Sequence, residues 1–393
     1  MNTERLYYAD PHLLSFDARV VRAEANGARV VLNRTAFYPT SGGQPFDTGT
    51  LGGARIIDVV DNDDDEVIHI LDRPIDTETV HGEVDSQRRL DHMQQHTGQH
   101  LLSAVFVEQL KMPTVSFHLG EELCTIDLAV QKMTDENIVQ VEERANAVVL
   151  ENRPVRVSLR SKEEVAALGL RKETKREGEI RLIEIEGLDL CACGGTHVTA
   201  TGEIGAIVLR KFEKVKQGIR VEFACGQRAV RWVRRDFLAL TRASMLYSCN
   251  PHEMPAVVAK KLDESKEADR ERKRLIESLA GYEAKALYEA AMPKTSGVRV
   301  IQKIFDNADP NYLRSLAAHV ARLPAARAIF ALRQPPTLFV AQTKDLGPDL
   351  AARVKELGLR GGGTKDAAQG GAADFCALER AISALSIDEG PTK

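Results

Sequence analysis

The chain has 393 residues, 43% hydrophobic and 28% charged, with a formal net charge of −4. That length suits about two to four domains, and the small negative charge excludes a uniformly basic nucleic-acid binder while leaving room for a local basic cleft. No run reaches the ~18 apolar residues of a membrane span, the N-terminus lacks an apolar signal core, and the six cysteines form no short repeating framework, so a cytoplasmic protein with reduced thiols is expected.

Residues 1 to 88 read as short strands and turns. Arg19 to Ala23 and Arg29 to Leu32 flank Asn26-Gly27, the signature of a type I′ hairpin. Ala54 to Val60 and Val67 to Leu71 flank an acidic turn from Asp61 to Asp65. It is not an EF-hand loop, because Glu66 stands where that loop needs Gly and Asp72 where it needs a bidentate Glu. Regular spacing of strands and turns predicts a small β-barrel.

From 89 to 228, helices and strands mix in the order of an α+β sandwich. The block opens on Asp91-His92-Met93-Gln94-Gln95-His96-Thr97-Gly98-Gln99-His100. His96 and His100 are four apart, and Leu101, Leu102, Val105 and Phe106 follow at helical spacing, so both imidazoles project from one helix face. Thr125 to Ala129 reads as a strand, and Thr134 opens a helix through Ile138, Val141, Ala145 and Val148. Val155 to Arg160 is a strand, and a short helix runs from the Ser161 to Glu164 capping box to Gly169. Ile180 to Ile185, Ile204 to Phe212 and Ile219 to Phe223 are further strands. Between them, Cys191-Ala192-Cys193-Gly194-Gly195-Thr196-His197 repeats the i, i+4 offset with Cys193 and His197, on a loop because of its glycine pair.

Together His96, His100, Cys193 and His197 make a nitrogen and sulfur set suited to one tetrahedral Zn²⁺ per chain. The two halves stand much further apart than the ~12–15 residues between ligand pairs in a zinc finger, so the ion would close a whole domain. Cys191 competes with Cys193, which is preferred because Cys191 sets an i, i+6 spacing to His197. His92, one turn up the helix, stays open as a ligand, a ligand's partner or an RNA contact. Thr97 stands where a His-Glu-x-x-His metalloprotease has its catalytic Glu, which disfavours that class.

From 229 to 293 the pattern is helical. Asp263 to Arg274 is charged nearly all round, and Leu275, Ile276, Leu279, Tyr282 and Leu287 then restore an apolar stripe, which predicts a stalk ended by Pro293. The last block, 294 to 393, alternates strands at Val298 to Phe305, Ala328 to Leu332 and Thr337 to Ala341 with helices at Leu313 to Leu323, Leu350 to Glu356 and from Phe375. In this α/β block Gly361-Gly362-Gly363 opens a loop that could cradle phosphate near Lys365 or let backbones pack closely. Two basic runs, Arg171-Lys172 through Lys175-Arg176 and Arg228 through Arg235, are either RNA contacts or solvated faces.

His-Thr-Gly-Gln-His-Leu-Leu followed much later by Cys-Gly-Gly-Thr-His-Val resembles the editing domain of alanyl-tRNA synthetase and its free-standing relatives, the AlaX family of alanyl-tRNA editing proteins. Phe37 to Gly49, centred on Ser41, Gly42, Gly43 and Gln44, is similar to the family's glycine-rich motif. Ser116-Phe117-His118-Leu119-Gly120 resembles the strand facing the editing pocket, and Gly361 to Gly371 the glycine-rich loop of the C-terminal domain. Synthetase editing sites commonly carry Gln where Ser116-Phe117-His118 stands here, so the free-standing branch is the closer match.

The resemblance implies an α+β multidomain chain: a barrel over 1–88, a zinc-binding deacylase domain over 89–228, a helical stalk over 229–293 and a tRNA-binding domain over 294–393. It implies hydrolysis of serine, or glycine, from mischarged tRNA(Ala), with Lys365, Arg360 and Arg181 as tRNA contacts. Homodimerisation through the stalk or the C-terminal domain is open. Thr97 is the candidate serine-sensing hydroxyl, with Ser116 and His118 second; His118 could instead position water. No class II synthetase core precedes the barrel, so a trans-acting editor is expected. The rival readings are an RNA-binding module with structural zinc and a phosphoesterase, the latter weak because paired Asp and Asp-His-His metal motifs are not evident.

Overall fold

The described residues, 2–62, 65–172, 178–216 and 218–387 of a computed structural model, fall into two units, Met1–Arg242 and Ala243–Lys393. In the first, β1 (Glu4–Arg5) precedes the long strand β2 (Ser15–Glu24), which turns into β3 (Arg29–Leu32); β4 (Arg34–Thr35) pairs in parallel with β1. Then come β5 (Gly49–Leu51), β6 (Ala54–Asp61), β7 (Val67–Leu71) and β8 (Thr79–Val84). Six of these strands close into a barrel in the order β2-β3-β7-β6-β5-β8. Alternation drives closure: along β8 every second residue is buried, and Val80 and Val84 meet Phe16, Leu32, Leu51 and Ile56 inside.

The β2–β3 connection differs from the two-residue turn read from Asn26-Gly27. The last ladder pair is Glu24 with Arg29, and Ala25, Asn26 and Gly27 all take positive φ in a tight helical turn. Ala25 carries no turn signal, so the longer loop was hidden.

Asp85 caps α1 (Ser86–Leu110) by accepting from the Gln87 and Arg88 amides. After it come β9 (Thr114–Leu119), β10 (Cys124–Leu128), α2 (Asp135–Leu150), β11 (Val155–Arg160), the single turn α3 (Lys162–Ala166), β12 (Ile180–Ile185) and β13 (Asp189–Ala192). The Thr134 and Ser161 caps form as expected, each in a reciprocal box. β14 (Ile207–Val215) and β15 (Gly218–Cys225) complete a sheet ordered β14-β15-β10-β9, beside a second ordered β11-β12-β13. Leu101, Leu102, Val105 and Phe106 of α1 pack with Ile126, Val148, Val221 and Phe223 in one core. The helix is buried on its polar face as well, from His92 to Phe106. That burial decides where the functional site lies.

The predicted single helical stretch is two helices, α4 (Gly226–Leu246) and α5 (Met254–Ala290). They are separated at Ser248, which takes positive φ, and at Asn250-Pro251, where Asn250 and Glu253 form a new capping box. In the second unit β16 (Arg299–Phe305), α6 (Pro310–Ala321), β17 (Ala326–Leu332), β18 (Thr337–Gln342), α7 (Leu350–Glu356), β19 (Arg360–Gly363), β20 (Ala367–Gly371) and α8 (Phe375–Leu385) build a five-stranded sheet ordered β16-β17-β18-β20-β19. Ala328, Phe330 and Leu332 of β17 pack with α5 and α6, and Ile329 and Ala331 pack with α7 and α8, so both sheet faces are covered.

The triple glycine is therefore an edge strand, not a loop. A Cβ on Gly361 would stand 2.0 Å from the Gln369 carbonyl oxygen and one on Gly363 2.2 Å from that of Ala367, so glycine permits a backbone approach that no side chain would. Among the described residues no helix is long and apolar enough to cross a membrane.

Candidate metal centre

The buried polar face of α1 needs partners, because an unpaired polar group away from water costs about 1–3 kcal/mol. Two of its histidines find them on the loop that follows β13. The ligand atoms of His96, His100, Cys193 and His197 all lie within 4.8 Å of one another. Cys193 Sγ stands 3.4 Å from His96 Nε2 and 3.3 Å from His197 Nε2. With bonds of about 2.0–2.1 Å to nitrogen and 2.3 Å to sulfur, neighbouring donors around a tetrahedral zinc are about 3.5 Å apart. The cluster has the dimensions of a metal site.

The opposite nitrogen of every imidazole is tied down. His96 Nδ1 lies 2.9 Å from Gln44 Oε1, His100 Nδ1 3.2 Å from Asp189 Oδ2, and His197 Nδ1 3.1 Å from Thr97 Oγ1. An oxygen at each Nδ1 selects the tautomer with its proton there and leaves a lone pair on Nε2 for a metal. Three imidazole nitrogens and a thiolate fit a borderline-soft divalent cation.

Each orienting oxygen is itself held. Gln44 Oε1 also accepts from the Thr196 amide at 3.1 Å, and Gln44 Nε2 donates to Thr196 Oγ1 at 2.8 Å. Gln44 is aimed by Gly42 and Gly43, both at positive φ, which make a tight turn closed by mutual backbone bonds between Ser41 and Gln44. Asp189 accepts from Arg171 Nε at 2.7 Å. Thr97 Oγ1 accepts from the Val198 amide at 3.1 Å. Gly195 lets the loop lie against the cluster, since a Cβ there would come within 2.1 Å of His96 Cε1.

The electrostatics agree. Burial raises the Cys193 thiol, but His96 and His197 beside it win and hold it well below its usual range. Burial also opposes charge on His100, yet Asp189 and the Cys193 sulfur push its pKa up to about 9. Burial lowers His197 to about 3. The set favours a thiolate beside an imidazolium, whose proton a divalent cation can replace.

The other predicted residues fall in several places. Cys191 and His92 lie outside the cluster; burial raises the Cys191 thiol to about 11 and lowers His92 to about 4. Thr97 is fully buried, and its hydroxyl serves His197 and Val198. Ser116 donates to Asp127 Oδ2 at 2.8 Å, and alternation along β9 puts Ser116 and His118 opposite Phe117, whose ring centroid lies 6.1 Å from that of His96. Phe117 also closes on the glycine turn, where a Cβ on Gly43 would meet its ring at 2.7 Å.

Arg181 is only 5% exposed, and its Nη1 donates to the Cys193 and Gly195 carbonyls at 2.9 Å each. That makes it a brace for the loop. Arg360 is exposed on β19, and Lys365 pairs with Asp345 at 2.8 Å. Of the second basic run, Arg228 is buried against Asp91, whereas Arg231, Arg234 and Arg235 are exposed. Lys175 and Arg176 of the first run lie outside the described residues. Sequence reading missed Asp189 and Arg171 as partners of the cluster, and it saw Gln44 only as part of a turn.

A family model described as "Threonyl and Alanyl tRNA synthetase second additional domain" matches residues 180–221. The alanine–tRNA ligase of Pyrococcus furiosus is 32% identical over 99% of this chain and 44% of its own length. The alanyl-tRNA editing protein AlaX-L of Pyrococcus horikoshii is 38% identical over 58% of this chain and 59% of its own. The chain thus spans less than half the length of that ligase. A RecJ structure from Thermus thermophilus matches 37% of this chain and 21% of its own at 19% identity, with a TM-score of 0.24, too low to carry structural meaning.

Proposed function

We propose that the chain, 38% identical to an alanyl-tRNA editing protein over 58% of its length, is an AlaX-type editor that hydrolyses the ester joining a wrong amino acid, serine foremost and glycine second, to tRNA(Ala). The need is chemical: a pocket for alanine rejects a residue with one hydroxyl more or one methyl less by only about 10- to 200-fold, so a second, hydrolytic site must complete the selection. The observation that carries the reading is the set of three Nδ1-anchored imidazoles and a thiolate, of which His100 and Cys193 line a cleft of about 270 Å³ together with Gly42, Phe117 and Gly194.

In this proposal His96, His100, Cys193 and His197 hold zinc, which when bound supplies positive charge beside the ester. Gln44, Asp189 and Thr97 orient His96, His100 and His197. Arg181 steadies the loop carrying Cys193, and Phe117 with Gly42 walls the cleft. Residues 1–88 contribute the glycine turn, 89–228 the hydrolytic centre and 229–293 a linker, while 294–393 bind the tRNA body through exposed groups such as Arg360 and Lys365.

One observation favours a second reading. A four-ligand set is closed, as in structural zinc sites, and supports a tRNA-binding protein without catalysis. The test is release of amino acid from Ser-tRNA(Ala), Gly-tRNA(Ala) and Ala-tRNA(Ala) by protein of assayed metal content. Hydrolysis of the serine ester with the alanine ester spared is expected; tRNA binding with no hydrolysis of any ester would sustain the second reading instead.

A further inference from the structure

The cleft beside the metal cluster continues into a larger one of about 680 Å³, and Thr114, Val115, Arg171 and Lys172 line both. We propose that this second cleft seats the 3′-terminal nucleoside of the RNA, a proposal that rests on the editing reading above. Its volume lies within the ~300–1,000 Å³ of small-molecule sites. The apolar part of its wall comes from separate elements: Val107 on α1, Pro113 and Val115 at the start of β9, and Leu188 and Leu190 around the start of β13. Val115 is 41% exposed, and Leu188 and Leu190 are only partly buried, so this apolar surface is free to cover a flat ring. A nucleobase offers a flat, largely apolar face that such aliphatic walls can cover and remove from water.

Polar groups stand where a nucleotide needs them. Lys172 is exposed and lines both clefts, placed for a phosphodiester, while Glu108, which also lines the larger one, is paired with Arg144 at 3.2 Å. Arg171 is engaged with Asp189, so Lys172 carries the free charge of that pair. The order of sizes also fits an aminoacyl ester. The smaller cleft ends at His100 and Cys193, where the aminoacyl carbonyl must sit, and the larger leads away from them, where the sugar and base must follow. Asp189 lines the larger cleft and bonds His100 Nδ1, so a nucleoside held there lies against the residue that orients a metal ligand.

The test uses the full chain, loaded with zinc, and the trinucleotide CpCpA carrying 2-aminopurine as its last base. Binding with increased fluorescence is expected, as the base leaves its stack on the neighbouring cytosine for an aliphatic cleft, with affinity falling at least tenfold in Val115→Glu while metal content and melting temperature stay at the parent's values. In case that variant fails to fold, the parent is cross-linked to CpCpA ending in 2-azidoadenosine, with attachment expected between 107 and 115 or between 188 and 190. Undiminished binding by folded Val115→Glu, or attachment elsewhere, overturns the proposal. Hydrolysis of Ser-tRNA(Ala) is measured separately. A parent that binds CpCpA in this Val115-sensitive way but hydrolyses no ester refutes editing and leaves the nucleoside site standing. A parent that hydrolyses the serine ester while Val115→Glu keeps its KM and its CpCpA affinity refutes the site alone.

Discussion

Replacing Gln44 with Leu removes the acceptor at His96 Nδ1, the acceptor of the Thr196 amide and the donor to Thr196 Oγ1 while keeping the side chain's size. Two costs follow, and they separate. Loss of the oxygen that orients a ligand histidine lowers metal affinity by about 10- to 100-fold, or about 1.4–2.7 kcal/mol. Leaving the Thr196 amide buried without an acceptor lowers metal-free stability by about 1–3 kcal/mol, since Thr196 is fully buried. Competition with a chromogenic chelator reads the first and urea unfolding in excess chelator the second. Gln44→Glu keeps both acceptor functions, and its Thr196 hydroxyl can turn to donate, so its metal affinity is expected near the parent's. Parent-like affinity in Gln44→Leu, or an equal loss in both variants, would refute the claim that the glycine-rich turn acts on the metal through this one oxygen.

Three further outcomes are expected. Arg89→Met leaves Asp47 fully buried without the guanidinium now 2.5 Å away, and urea unfolding should show a loss of about 3–5 kcal/mol. Burial, aided by Arg88, holds His92 at about 4, below its unfolded value of 6.5. The unfolded chain then takes up the proton first as pH falls, so stability is complete above pH 6.5 and lost progressively toward pH 4; by pH 5 the loss is about 2 kcal/mol. His92→Met should lose that much less than the parent between pH 7 and pH 5 in paired urea titrations. A Cβ on Gly98 would stand 2.2 Å from Cys225 Sγ, so Gly98→Ala must push α1 off β15, and thermal unfolding should show destabilisation of about 1–3 kcal/mol.

The metal cluster was legible in the sequence because its halves are local patterns: an i, i+4 histidine pair on a helix, and a cysteine and a histidine across a glycine pair. Their orienting partners were not. Gln44 is 52 residues from His96, and Asp189 is 89 from His100, so only the folded chain joins them. Thr97 was readable as a hydroxyl near the metal, but its direction depends on the Val198 amide, which reaches it from the loop after β13. In the fold, β11 alternates strongly enough to be placed from sequence, and β3, β7 and β12 are short runs rich in Val, Ile and Leu that read as strands. The three-residue β5 and the glycine-rich β19, which carries Arg360 as its one side chain, have too few side chains to signal a strand, and close backbone contact reveals β19 instead. The break between α4 and α5 had a signal, Asn250-Pro251, which the surrounding helical composition masked.

The most direct measurement is the single-turnover rate of serine release from Ser-tRNA(Ala) at saturating protein, for zinc-loaded parent and for Cys193→Ala with its metal content assayed. The account predicts rapid release by the parent, and release no faster than the spontaneous rate by a variant that has lost zinc but still binds the tRNA. Equal rates from the two proteins, or none from a fully metal-loaded parent, would contradict it.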